Sequence, residues 1–117
     1  MSEPKTVLDL DALLDSVDGD CDMLDELAET FTAEVPAWIS QLRAAVASGD
    51  AATTHRVAHG LTGAMGYLKA PTAQRTAAAL EAMGRQANLE GAALALDQLE
   101  AALLTLSAFL SETPWRR

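Results

Sequence analysis

Leu96, Leu99, Leu103, Leu106 and Leu110 recur at alternating spacings of three and four residues, with Leu89 one heptad ahead of them. Such a row runs along one face of a helix and does not fit the two-residue period of a strand. A chain that contains it must supply other apolar surfaces to cover it, and Thr113-Pro114 marks where it stops. Shorter rows of the same kind precede it. Leu10, Leu13, Leu14 and Val17 follow a capping Asp9, with Asp11 favourably placed at the N-terminal end of the helix dipole. Asp18-Gly19-Asp20 reads as a turn and a second cap. Leu24, Leu27, Phe31, Val35, Trp38, Leu42 and Ala45 keep a helical phase through Pro36, which removes the hydrogen bond to the Thr32 carbonyl and should kink the helix. Ser48-Gly49-Asp50 closes that segment, with Asp50 or Thr53 starting the next. Beyond Ala70-Pro71, the residues Ala73, Ala77, Leu80 and Met83 define a further helix ending near Asn88.

No strand pattern, internal repeat or low-complexity linker competes with these rows. The expected fold is therefore all-α: an up-and-down four-helix bundle with an additional short N-terminal helix. The 117 residues make one domain over 1–117, with a core of about 8–112. Residues 1–7 read as a flexible lead and Trp115-Arg116-Arg117 as a frayed tail, the alternative being that Trp115 caps the end of the bundle. Only 4% of the residues are aromatic, which suits Ala- and Leu-rich helices better than sheets. The lone Cys21 cannot form an internal disulfide, so a reducing compartment is the simplest setting. With no run of about 18 apolar residues and no basic-then-apolar leader, a soluble, cytoplasmic protein without a membrane contact is expected. The start at Met1 and the missing linker favour a free-standing protein, and an exposed reactive face suits a monomer.

Charge is unevenly distributed. Residues 1–34 hold eleven acids and one base, whereas the rest of the chain holds six acids and seven bases, for an overall charge of −9. A field of that sign argues against nucleic acid as a partner. It also leaves the segment around Arg56 and Lys69 as the least acidic part of the chain, although an acidic N-terminal third is first of all a solvated helix face.

That segment is Ala58-His59-Gly60-Leu61-Thr62-Gly63-Ala64-Met65-Gly66-Tyr67-Leu68. Val57, Leu61, Ala64 and Leu68 form its apolar stripe, and His59 lies about 200° around the helix axis from both Val57 and Leu61. If the stripe faces a core, the imidazole faces water. Gly60, Gly63 and Gly66 each cost about 1 kcal/mol relative to alanine inside a helix. Gly63 follows His59 by one turn on the same face and Gly60 adjoins it, so their missing side chains leave the ring open to a large partner. The alternative is that the helix ends near Ala58 and the glycines form a loop.

Other chemistries fit less well. Asp18, Asp20, Asp22 and Glu29 imitate a calcium loop, but Met23 stands where the sharp turn requires glycine. His55 and His59 have the spacing of a paired metal site, yet Arg56 occupies the position of the usual glutamate and no third ligand is evident. No nucleophile, base and acid combine for acyl transfer, and the phosphate-cradling glycine signatures are absent, so ATP is not a substrate.

An exposed helical His59, with Leu61 two residues on, Gly63 four residues on and a small residue after it, preceded by Arg56 and Ala58, resembles the histidine-containing phosphotransfer (HPt) domains of bacterial phosphorelays. The resemblance spans about Leu8 to Leu110. It departs from the family pattern at Thr62, where a lysine is usual, and at Lys69, where a glycine is usual. It implies that His59, through Nε2, is the phosphorylated nucleophile. Around it Arg56, Thr62, Gly63, Gly60, His55 and Lys69 would be supporting residues, with Arg56 supplying the charge of the missing lysine. A histidine of ordinary pKa is mostly neutral above pH 7 and needs no general base. The implied protein is a phosphocarrier rather than an enzyme, with no cofactor of its own and Mg2+ on its partner. The implied partners are response regulator receiver domains and a hybrid histidine kinase. Two alternatives stay open: a docking or sequestering module of the same fold that no longer transfers, and a metal-binding helical protein using His55 and His59.

Overall fold

The computed structural model describes residues 4–116, and every regular element among them is helical. Local chemistry at the helix ends explains where most of them start and stop. Asp9 caps α2 (Leu10–Ser16) by accepting from the Ala12 amide at 3.2 Å. Asp20 does the same for α3 (Cys21–Ser48) through the Met23 amide at 3.1 Å. Of the two residues considered for the start of α4 (Ala51–Tyr67), Asp50 is the cap: it accepts from the Thr53 amide at 3.0 Å and the Thr53 hydroxyl at 2.7 Å. Gly49, at φ 73°, ends α3 in the left-handed conformation that lacks a Cβ penalty. Pro36 lies inside a continuous α3, and Pro71 occupies the first turn of α5 (Pro71–Arg85), where its missing N–H leaves no bond unmade.

The helices α3, α4, α5 and α6 (Ala92–Ser111) each pack against their chain neighbours, and α6 closes the ring against α3. This is the expected four-helix bundle. Leu96, Leu99, Leu103, Leu106 and Leu110 are buried, meeting Leu42, Val35 and Phe31 of α3 and Leu80 of α5 in one continuous core. Such a face, at about 25 cal/mol per Å² of apolar surface, is the main stabilising term of the bundle.

Four expectations are corrected. Leu89 lies in the connection before α6, not on its row, because Gly91 at φ 81° delays the helix start to Ala92. The preceding helix ends at Arg85, three residues short of Asn88, because Ala87 turns the chain at φ 53°. Part of the supposed lead is ordered: Pro4–Val7 forms the one-turn α1 against α5 and α6, and Leu8 behind it is buried, while residues 1–3 fall outside the described residues. The tail is not frayed either. Pro114–Arg116 forms a 3₁₀ turn in which Trp115 is buried, its Nε1–H donating to Asp25 Oδ1 at 2.8 Å. Arg116 bridges Asp22 at 2.8 Å and Asp25 at 2.6 Å, drawing a base of the C-terminal part onto the acidic N-terminal part. Its guanidinium, followed by the Trp115 N–H, holds the Asp25 carboxyl below its ordinary value. Arg117 lies outside the described residues.

One further expectation needs amending: Ala92–Arg116 is long and apolar enough to cross a membrane by length and composition. The buried leucine row supplies part of that hydropathy, and the exposed Leu94 and Leu104 supply more, since 33% of the apolar window is buried.

Lys69 takes φ 59° at the end of α4. This left-handed conformation disfavours residues with a Cβ by about 1 kcal/mol or more. Lys69→Gly is therefore expected to stabilise the fold by about 1 kcal/mol, raising Tm by about 4 °C in thermal denaturation. An unchanged or lower Tm would show that the lysine side chain compensates for its backbone.

Candidate functional site

The α4 segment buries Val57, Leu61 and Leu68 as its phase requires, and half-buries Ala64. The buried face is broader than one stripe, because both α3 and α5 cover it: Thr54, Ala58 and Met65 are buried too. The helix runs through all three glycines to Tyr67, so no loop begins at Ala58. On the far side, the His59 side chain is 72% exposed. A Cβ added at Gly60 or at Gly63 would meet nothing within 4 Å, so the surface beside the ring is open on both flanks.

The ring does not hang free. Its Nδ1 lies 2.9 Å from Oε2 of Glu81, a side chain of α5 that is only 13% exposed. The Glu81 carboxyl is held below its ordinary value of 4.5, chiefly by the hydrogen bond with His59, with smaller help from Thr62 and Arg85 against the opposing effect of burial. An ionised carboxylate only accepts, so Nδ1 carries the proton and donates it. In the neutral ring this leaves Nε2 with its lone pair, directed away from α5.

The other residues singled out in the sequence are placed as follows. Thr62 donates its hydroxyl to the Ala58 carbonyl at 2.8 Å and lies half-buried beside Glu81. Arg56 lines a shallow depression with Trp38, Gln41, Val57, Gly60 and Leu61, on the α3 side of His59 and opposite Glu81. His55 stacks on His59 with ring centres 5.9 Å apart and planes inclined by 20°. Its Nδ1 lies 3.4 Å from the Glu81 main-chain oxygen, a long hydrogen bond in which the nitrogen must donate. Lys69 is not brought to the site: ten residues further on, it sits about 15 Å along the helix axis, where its carbonyl accepts from the Asp9 amide at 2.7 Å.

Two contributors were not singled out from the sequence. Glu81 follows Leu80 on α5, and nothing local reveals that this carboxylate faces a histidine 22 residues earlier. Gly84 is the second. A Cβ there would lie 2.5 Å from the backbone nitrogen of His55 and 2.8 Å from its Cα, so α5 crosses α4 at near backbone contact. A signal for it existed: Ala73, Ala77 and Gly84 place small residues along one face of α5, the pattern of a close helix crossing.

Because the folded-state pKa is lowered, the stability that Glu81 adds is fully present above its unfolded value of 4.5 and is lost as pH falls through the lower folded value. In urea melts, the advantage of wild type over Glu81→Gln should thus shrink as pH falls from about 4.5 and the carboxyl takes up its proton. An advantage as large at pH 2.5 as at pH 5 would contradict the assignment.

A model of the Hpt domain family matches residues 26–109. A search of curated proteins finds no match. Among solved structures, the fold is similar to histidine-containing phosphotransfer protein B (HptB) from Pseudomonas aeruginosa PAO1, with a TM-score of 0.87 and 23% identity over 99% of each chain. It is also similar to the HPT domain of the Hpt sensor hybrid histidine kinase from Shewanella, with a TM-score of 0.79 and 22% identity over 94% of each chain. At such identities the likeness speaks for the bundle, and the family rests on the match over residues 26–109. By that match the chain belongs to the Hpt domain family, the histidine phosphotransfer modules of phosphorelays.

Proposed function

We propose that His59 is the phosphoryl-carrying residue, accepting the group from an aspartyl phosphate of one receiver domain and passing it to the aspartate of another. The observation that carries this reading is the orientation of the ring: exposed, tautomer set by Glu81, Nε2 unpartnered between two glycines. In the forward step the Nε2 lone pair attacks phosphorus, an N–P bond forms, and the P–O bond to the aspartyl carboxylate breaks. No proton leaves Nε2, because none is there. The ring becomes cationic as the bond forms, and the Glu81 carboxylate at 2.9 Å stabilises that charge. The second transfer reverses each of these events on a new carboxylate.

In-line phosphoryl transfer is governed by positioning and by charge on the transferred group. This chain supplies the nucleophile, its orientation and Arg56, and the receiver supplies Mg2+ and the reacting carboxylate. The chain acts as a carrier with no nucleotide site of its own, in the cytoplasm, between receiver domains and a hybrid kinase. The depression at Arg56 and Gly60 continues past Trp38 into an apolar groove between α3 and α4, lined by Leu27, Phe31, Ala64 and Tyr67, which offers docking area beside the histidine.

The test is incubation with a radiolabelled, phosphorylated receiver domain. Acid-labile, alkali-stable label on this chain is the expected result. No label across a broad receiver panel would overturn the carrier reading in favour of a docking module.

A further inference from the structure

We infer that Arg85 is a positioning residue for the transfer: it shares Oε2 of Glu81 with Nδ1 of His59 and, by offsetting part of the carboxylate's charge, keeps the ring neutral and its Nε2 lone pair free where Glu81 alone would hold it protonated. The inference rests on the carrier role of His59. Its basis is that both partners meet one oxygen atom. Nδ1 of His59 lies 2.9 Å from Oε2 of Glu81, and a terminal nitrogen of Arg85, one turn further along α5, lies 3.7 Å from it.

The contact that sets the tautomer of His59 also works against its chemistry. A carboxylate within hydrogen-bond distance of an imidazole favours the protonated ring, and a protonated ring has no lone pair at Nε2 with which to attack phosphorus. The Glu81 side chain is only 13% exposed, so water and salt screen its charge poorly. Arg85 supplies an opposing charge. Its guanidinium nitrogen can be no farther from Nδ1 than the two distances laid end to end, so a positive charge stands within about 7 Å of the ring. Even in a water-like dielectric, a unit charge at that range moves a titration midpoint by roughly half a pH unit, about a threefold change in the ratio of neutral to protonated ring.

The other charges around the ring do not take this part. Arg56 lines the depression on the α3 side, and its charge already acts on Asp50, whose carboxyl the Thr53 amide and hydroxyl, and then Arg56, hold below its ordinary value. His55, stacked on His59, has its Nδ1 engaged by the Glu81 main-chain oxygen. From α3, Trp38 and Gln41 line the depression beside Gly60 without charge, and Glu34 lines the groove beside Tyr67, about two turns along α4 from His59. The charged and titratable groups facing His59 are thus Glu81 and Arg85 of α5 and His55 and Arg56 of α4, with Glu34 of α3 farther off.

The experiment compares the full chain with Arg85→Gln and Arg85→Lys. The Arg85 side chain is 62% exposed, so its replacement leaves no cavity and the variants stay folded. Side-chain 15N spectra recorded from about pH 5 to 9 give the protonation midpoint of His59, and initial rates of uptake from phosphoramidate over the same range give its consequence. The His59 midpoint of Arg85→Gln is expected about half a pH unit above that of wild type. Its uptake should be about threefold slower below both midpoints and within about 1.5-fold of wild type well above them, where both rings are neutral. The ratio of variant to wild-type rates at each pH cancels the ionisation of the donor itself. Arg85→Lys, which keeps the charge, should follow the wild-type curve to within about twofold. An unmoved midpoint in Arg85→Gln overturns this inference alone. So does a rate ratio that stays constant with pH, which would have Arg85 act on the phosphoryl group instead. Failure of wild type to form phosphohistidine at His59 overturns the carrier reading and this inference with it.

Discussion

Replacing His59 by glutamine is expected to reduce phosphoryl uptake to background, a loss of at least about a hundredfold, while changing stability by no more than about 0.5 kcal/mol. The two halves of this prediction come from the same geometry. The side chain is 72% exposed and fills no core space, so its removal leaves no cavity. Its contact with Glu81 can be remade by the glutamine amide, which also donates. What the amide lacks is a nucleophilic lone pair, because its nitrogen electrons are delocalised into the carbonyl. Label transfer with an acid- and alkali-stability test, run beside a thermal melt, separates the two effects. Label retained on the variant would move the acceptor role to another residue, with His55 the first to examine.

Gly84→Ala is expected to have the larger structural effect and a catalytic one besides. Alanine would ordinarily gain about 1 kcal/mol over glycine inside a helix. Here the new Cβ would meet His55 nitrogen at 2.5 Å and Cα at 2.8 Å, and backbone atoms cannot rotate away as a flexible side chain can. The α4 and α5 helices must separate, at an overpacking cost of about 3 kcal/mol, so a net loss of about 2 kcal/mol is expected in urea unfolding. Glu81 lies one turn before Gly84, so the carboxylate moves with the displaced helix and its hold on His59 Nδ1 lengthens. A shift of about 1 Å in such a contact can cost up to about a hundredfold in rate. Phosphoryl uptake by Gly84→Ala should therefore fall about tenfold or more even at temperatures where the variant is folded. If the variant were as stable as wild type, the close crossing would not be as the structure has it.

The part of the site that lies along α4 was legible from residue spacing, because a helix maps sequence onto angle. His59 opposite Val57 and Leu61, with Gly60 and Gly63 beside it, follows from the 3.6-residue period once the segment is helical. The caps at Asp9, Asp20 and Asp50 were legible for a similar reason, since a side chain reaching an amide three residues on is a local event. Where local signals competed, spacing misplaced the ends. Leu89 keeps the heptad of the α6 row, yet the turn at Glu90 and Gly91 excludes it from the helix. The tail reads as frayed because nothing near Trp115 in sequence could bury it, whereas its partner Asp25 lies 90 residues away.

Helix period and turn chemistry alone thus specify the all-α class, the number of long helices and the outward face of His59, since all of these depend on residues within a few turns of one another. Only the packed bundle decides how that histidine is held. The carboxylate of Glu81 is brought to Nδ1 by the crossing of α4 and α5, and the crossing is this close because Gly84 lacks a side chain opposite His55. The separation and angle of two helices result from how their side chains fit together, which no period along either helix encodes.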